Sequence, residues 1–85
     1  MSAGDLALVI AVRRMYEAGN GRRARQNLGL SIGELAAAAG IGVSTLWRYE
    51  NATRVPRADQ ALALARAFGC LTPERIPNLL AEVVL

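Results

Sequence analysis

LAAAAGIGVSTLWRYE, residues 35–50, is the stretch whose reading decides the fold. An alanine-rich helix runs into Gly40, where a left-handed backbone is easy only for glycine. Ile41 and Gly42 make a very short connection. A second helix is predicted from Val43 to about Glu50, with Gly42 as its N-cap in place of the commoner Ser or Thr. A glycine-containing turn this short makes two helices cross steeply, so that the second projects while the first braces it. Small side chains at Ala36 to Ala39 allow close approach. At 100° per residue, Val43, Ser44, Trp47, Arg48 and Asn51 fall on one side of the second helix, and Thr45, Leu46, Tyr49 and Glu50 on the other. Leu46 and Tyr49, with Ile41 alongside, read as core anchors. A rotated wheel would instead bury Trp47.

Working outward, Ser31 and Glu34 form a capping box that opens the alanine-rich helix. Before it, residues 5–18 have helical periodicity. Leu8, Val12, Met15 and Tyr16 share one face, widened by Leu6, Val9 and Ile10. Gly19, Asn20 and Gly21 break that helix. A short basic helix follows from Arg22 to Leu28 and stops at Gly29, although one kinked helix over 5–28 fits the pattern too. After the central pair, Asn51 to Pro56 reads as a loop. Arg57 to Phe68 reads as a helix that turns Leu62, Leu64, Ala65 and Phe68 to the core and ends at Gly69. Thr72-Pro73-Glu74 is an N-cap with proline in the first turn, and a helix restarts after Pro77 through Val83 unless 83–85 is a strand. The expectation is an all-α single domain over residues 1–85: an extra N-terminal helix at 5–18, a core at 22–69, and a C-terminal helix or tail at 72–85.

Eighty-five residues suit one domain,. A chain of this length buries only about 60–65% of its unfolded surface. The net charge is +3, and every basic residue is Arg. Between Ala18 and Arg57 lie six arginines against two glutamates, a local net of +4, whereas the remainder carries four against five. Concentrated positive charge favours an anionic partner, and a solvated surface of uneven charge is the plainer reading. Cys70 is the only cysteine, so one chain holds no disulfide, and with no His the usual zinc spacings are not available,. The apolar run Leu6 to Val12 is too short to span a bilayer, and no basic region precedes it to make a signal peptide. These features point to the cytoplasm. Nothing in the chain assembles a nucleophile with a base, a metal site or a phosphate-binding glycine loop, so no catalytic residues and no cofactor are expected.

The central pair matches a helix-turn-helix. Its outward stripe mixes short polar, aromatic and basic groups, which suits the major groove. Arg donates a bidentate pair to guanine, Ser bonds either way, and Val or Trp packs on a thymine methyl. The sequence resembles the Cro/C1-type (XRE) family of helix-turn-helix repressors over about Arg22 to Gly69. The resemblance is carried by Arg25, Gly29-Leu30-Ser31, Glu34-Leu35-Ala36, Gly40-Ile41, Leu46, Tyr49-Glu50, Pro56, Leu64-Ala65 and Phe68-Gly69. It implies a compact five-helix, lambda-repressor-like DNA-binding domain, here with an additional N-terminal helical segment. It also implies that Val43, Ser44, Trp47 and Arg48 reach base edges. Phosphate or minor-groove contacts would fall to Ser31, Ile32, Thr45, Asn51, Thr53, Arg54, Arg57, Arg22 and Arg23. Arg25 and Glu50 would form a structural ion pair between helices.

The chain departs from the family pattern at Ile32, where a polar residue is usual, at Gly42, and at Trp47, which is large for a base-facing position. Ala24 and Gly21 replace larger apolar residues, and the segment 5–18 would cover the surface they leave. The implied function is a sequence-specific double-stranded DNA-binding transcriptional regulator, a repressor or Cro-like phage switch. It would bind as a homodimer through Leu6–Tyr16 or Leu79–Leu85, with no membrane and no small-molecule ligand. The competing reading is a protein-binding helix-turn-helix module, such as an antitoxin or an inhibitor of another regulator. Trp47, Val43 and Ile32 on the outer face favour it.

Overall fold

The computed structural model describes residues 2–71, and these contain five helices and no strand. In chain order they are α1 (Ala3–Glu17), α2 (Gly21–Asn27), α3 (Ile32–Ala39), α4 (Val43–Glu50) and α5 (Ala58–Leu71). The C-terminal helix or tail expected at 72–85, and with it the Leu79–Leu85 interface, lies outside the described residues.

α1 begins at Ala3, earlier than periodicity alone suggests, because Ser2 and Asp5 form a capping box. The Asp5 N–H donates to Ser2 Oγ at 3.0 Å and the Ser2 N–H to Asp5 Oδ2 at 3.4 Å. Each exchange satisfies an amide that the first helical turn leaves without a partner. α3 starts in the same way on Ser31 and Glu34. α1, α2 and α3 also share one kind of ending. Gly19, Gly29 and Gly40 stand at φ of 77°, 73° and 69°, and the N–H groups on either side of each bend return to the last helical carbonyls. This is the Schellman geometry, in which glycine avoids the Cβ penalty of the left-handed region.

Two expectations are corrected. Gly69 does not end α5, which continues to Leu71. A helix terminates at a glycine when that residue goes left-handed, and Gly69 stays helical at the modest intrinsic cost of glycine in a helix. On α1, Leu6 and Ile10 do not widen the buried face; both are exposed. The buried face is narrower, made of Val9, Val12, Met15 and Tyr16, with Leu8 partly covered.

That face lies mainly against α5, where Ala61, Leu64, Ala65, Ala67 and Phe68 are buried. Asp5, near the start of α1, comes within 4.0 Å of Arg66 in the second half of α5. Leu35 and Ala36 of α3 and Leu46 and Tyr49 of α4 complete the same core. The α1–α2 junction is unusually close. A Cβ on Gly21 would overlap the ring of Tyr16, so the absent side chain at position 21 is what admits the aromatic. The Tyr16 ring then meets Tyr49 edge-on, with centroids 6.1 Å apart. Its hydroxyl is buried with no hydrogen-bond partner among the described residues. Burial pushes the Tyr16 phenol well above its ordinary pKa, and the negative charge of Glu50 adds to the effect,.

Candidate nucleic-acid interface

α3, the turn Gly40-Ile41-Gly42 and α4 form the central unit, third and fourth in helix order because α1 precedes the core. α4 spans Val43–Glu50, with Gly42 as an extended N-cap that makes no side-chain hydrogen bond. Leu46 and Tyr49 are buried, Thr45 is half-buried, and Val43, Ser44, Trp47 and Arg48 are exposed. Half of the Trp47 surface, 53%, is open, so the indole is outside the core.

The last residue of α4 is held from α2. Arg25 Nε donates to Glu50 Oε2 at 2.7 Å and its NH2 to Oε1 at 3.1 Å, while its NH1 donates to the Leu30 carbonyl at 2.8 Å. The Glu50 side chain is only 1% exposed. A fork-to-fork pair of this kind fixes orientation as well as charge, and the bond to Glu50 raises the pKa of Arg25. Arg22 approaches from the same helix, with Nε 3.5 Å from Glu50 Oε1 and NH2 donating to Asn51 Oδ1 at 3.3 Å.

α4 also ends in the Schellman pattern, through Ala52 N–H to the Tyr49 carbonyl at 3.2 Å and Thr53 N–H to the Arg48 carbonyl at 3.0 Å. Here the left-handed residue is Ala52, at φ 57°, where the three preceding helices use glycine. Two side chains brace the bend. Asn51 Nδ2 donates to the Trp47 carbonyl at 2.8 Å and Thr53 Oγ1 to the Arg48 carbonyl at 3.1 Å. Both residues stand beside the stripe, but the donors they would offer a phosphate are turned onto α4 itself.

The arginines separate into two groups. Arg57 lies 3.3 Å from Asp59, and Arg22 and Arg25 share Glu50. Among the described residues no carboxylate lies within ion-pair distance of Arg23, Arg48 or Arg54, nor of Arg13 and Arg14 on α1. Ser31 and Ile32 sit at the start of α3, where the first amides have no intrahelical acceptor. The Ser31 N–H, however, is taken by Glu34 Oε1 at 2.9 Å, and that bond holds the Glu34 carboxyl below its ordinary pKa.

A cleft of about 200 Å³ opens where the loop after α4 meets α5, lined by Thr45, Tyr49, Arg54, Val55, Arg57 and Gln60. It brings the half-buried Thr45 to the same wall as Arg54 and Arg57. The Tyr49 hydroxyl donates to Gln60 Oε1 across the cleft, and burial raises the Tyr49 pKa. Gln60 and Val55 escaped the reading of the sequence. They reach the cleft through the bend at Ala52 and the start of α5, which local periodicity does not reveal.

Among the described residues no helix is long and apolar enough to cross a membrane, and no three metal-ligating side chains cluster. A family model described as a helix-turn-helix domain matches residues 22–79, well over half of the chain. The match agrees with the Cro/C1-type resemblance carried by Arg25 through Gly69. No curated protein and no solved structure matches.

Proposed function

The chain belongs to the helix-turn-helix domain family, and from that premise we propose that it is a sequence-specific, double-stranded DNA-binding transcriptional regulator working in the cytoplasm. α4 enters the major groove, and operator binding represses by occluding a promoter, in the manner of a Cro-like switch. The observation that carries this reading is the exposed row Val43, Ser44, Trp47 and Arg48 on a helix whose other face is locked into the core. Arg48 reads a base edge, Arg23 and Arg54 contribute unpaired charge to the phosphates, and Ser31, Ile32, Thr45 and Arg57 lie on the flanks.

A second copy is part of the proposal. One eight-residue recognition helix buries little, and a two-fold pair would place two such helices about 34 Å apart on successive major grooves. The exposed Leu6 and Ile10 of α1 are the surface for that pairing.

The test is a titration with duplex DNA at several salt concentrations. Each phosphate contact contributes about −0.9 to the log–log slope, so several contacts give a steep fall, and a slope near zero defeats the reading. The half-exposed Trp47 and Val43 favour a second reading, a protein-binding module that keeps the fold without reading DNA. Arg48→Ala separates the two. As a DNA reader it loses duplex binding and keeps its fold, whereas a protein-binding module shows no duplex binding for the substitution to remove.

A further inference from the structure

α1 lies outside the residues matched by the family model, so the family's way of meeting DNA does not account for its outer face. Ala3, Leu6, Ala7 and Ile10 follow one another along that face at helical spacing, all exposed, with Leu6 at 51% and Ile10 at 44%,. Arg13, Arg14 and Glu17 continue the same exposed stripe, and neither arginine has a carboxylate within ion-pair distance among the described residues. Ile10, Arg13, Arg14 and Glu17 line a surface cleft of about 250 Å³. Their spacing, i, i+3, i+4 and i+7, is that of the four residues that make a hole for one side chain of a facing helix.

Resting on the two-fold pairing suggested above, we propose that two copies of α1 pack antiparallel about Ile10, each placing its Leu6 in the cleft of the other. The orientation follows from the stripe. Ile10 is the midpoint of α1, seven residues from either end. Turning the helix end for end about Ile10 exchanges Ala3 with Glu17, Leu6 with Arg14 and Ala7 with Arg13, so the stripe falls on itself over the whole helix. Leu6 of one copy then stands opposite the hole of the other, and Ile10 opposite the partner's Ile10. The aliphatic stems of Arg13 and Arg14 cover the partner's Ala7 and Leu6 while their guanidinium groups stay in water. Glu17 comes to the start of the partner's α1, where the helix dipole favours a carboxylate. A parallel pair would instead set Arg13 and Arg14 against their own copies and leave both clefts without an aliphatic occupant. α1 has fifteen residues, a length of about 22 Å, whereas a stable pair of proteins buries about 800 Å² on each side. α1 alone falls short of that area, so the pairing is weak in solution and is completed when a duplex holds two copies side by side.

The test is site-directed cross-linking of the full chain. Cys70 is the only native cysteine, so Cys70→Ser is combined in turn with Ile10→Cys, Leu6→Cys and Arg14→Cys. Each protein is treated with a short bismaleimide at high concentration, alone and on duplexes enriched from a random pool. Ile10→Cys should cross-link to itself. Leu6→Cys and Arg14→Cys should each stay uncoupled alone and cross-link to one another when mixed. The proposal is overturned if Leu6→Cys couples to itself as readily as to Arg14→Cys, which is the parallel result. It is overturned equally if none of the three couples with or without duplex, which leaves the face to another occupant, such as an acidic, aliphatic segment of a different protein. Sedimentation of the unaltered chain on an enriched duplex stands whatever the variants do: two copies are expected, and a single copy overturns the proposal. Two copies on one duplex without cross-links would remove this interface and leave the DNA reading intact. Cross-links with no duplex enriched would defeat the DNA reading and keep the interface.

Discussion

The two ends of α4 are built on opposite terms. At its C-terminus, Glu50 is clamped by Arg25 and approached by Arg22, Asn51 and Thr53 bond the last carbonyls, and Ala52 is held left-handed. At its N-terminus, Gly42 caps without a side-chain bond, and Val43 and Ser44 face solvent. Alanine in the left-handed region costs roughly 1–2 kcal/mol. Strain of this kind persists only where the surroundings over-determine the backbone, and the bonds around Ala52 do so. The contrast teaches that the helix is positioned from the end that closes it, which leaves the opening turn free to present side chains.

The most severe way to break this contrast is Arg25→Ala. It strands the buried Glu50 carboxylate with only Arg22 nearby, at 3.5 Å, and removing one partner of a buried pair costs ~3 kcal/mol or more. Urea unfolding should show that loss, and a cost below ~1 kcal/mol would mean that Arg22 alone can hold the end of the helix. Ala52→Gly acts on the same end with the opposite sign. It relieves the left-handed alanine and should raise stability by about 0.5–1 kcal/mol, part of the gain being offset by the freer unfolded chain. No gain in thermal midpoint would show that the bend is unstrained.

At the open end, Gly42→Ser supplies the missing cap. A Cβ at Gly42 meets nothing closer than Thr45 Oγ1 at 3.7 Å, so the serine fits. The expected stabilisation is a few tenths of a kcal/mol, measured by the same unfolding curves, and a loss would mean that the first turn of α4 is not built as described. The start of α3 provides the finest comparison, because it carries the cap that α4 lacks. Glu34 has a depressed pKa there. Its contribution is therefore complete above the ordinary value of 4.5 and is lost as pH falls through the lower native value,. Glu34→Gln keeps a capping side chain without the titration. The parent should lose slightly more stability than this variant on acidification below that value, and parallel curves would remove Glu34 from the account.

Much of this arrangement was legible in short-range pattern. The bounds of α4, the glycine at Gly40 and the Ser31–Glu34 box depend on residues within a turn of one another, and periodicity reports such relations directly. The Ser2–Asp5 box was equally local, and only its Ser-x-x-Asp spacing distinguishes it from a polar N-terminus. What escaped depends on partners distant in sequence. Asn51 and Thr53 look like free polar groups in a loop until the left-handed Ala52 folds them back on α4. Arg22 looks like a flank charge until α2 lies beside Glu50. Gln60 joins the cleft only because α5 returns past Tyr49. The exposure of Leu6 and Ile10 follows from the narrow width of the α1–α5 contact, which no helical wheel contains.

Gly21 gives the N-terminal helix a consequence for any shortened form of the protein. Tyr16 occupies the space that a side chain on α2 would otherwise fill, and its ring meets Tyr49 on α4 edge-on. Deleting the first eighteen residues would therefore not trim an appendage from a self-sufficient core. It would leave a void the size of a phenol beneath the helix that is meant to be rigid, with an open aromatic edge and a glycine unable to close it. A shortened form that keeps this packing has to retain the part of α1 that carries Tyr16.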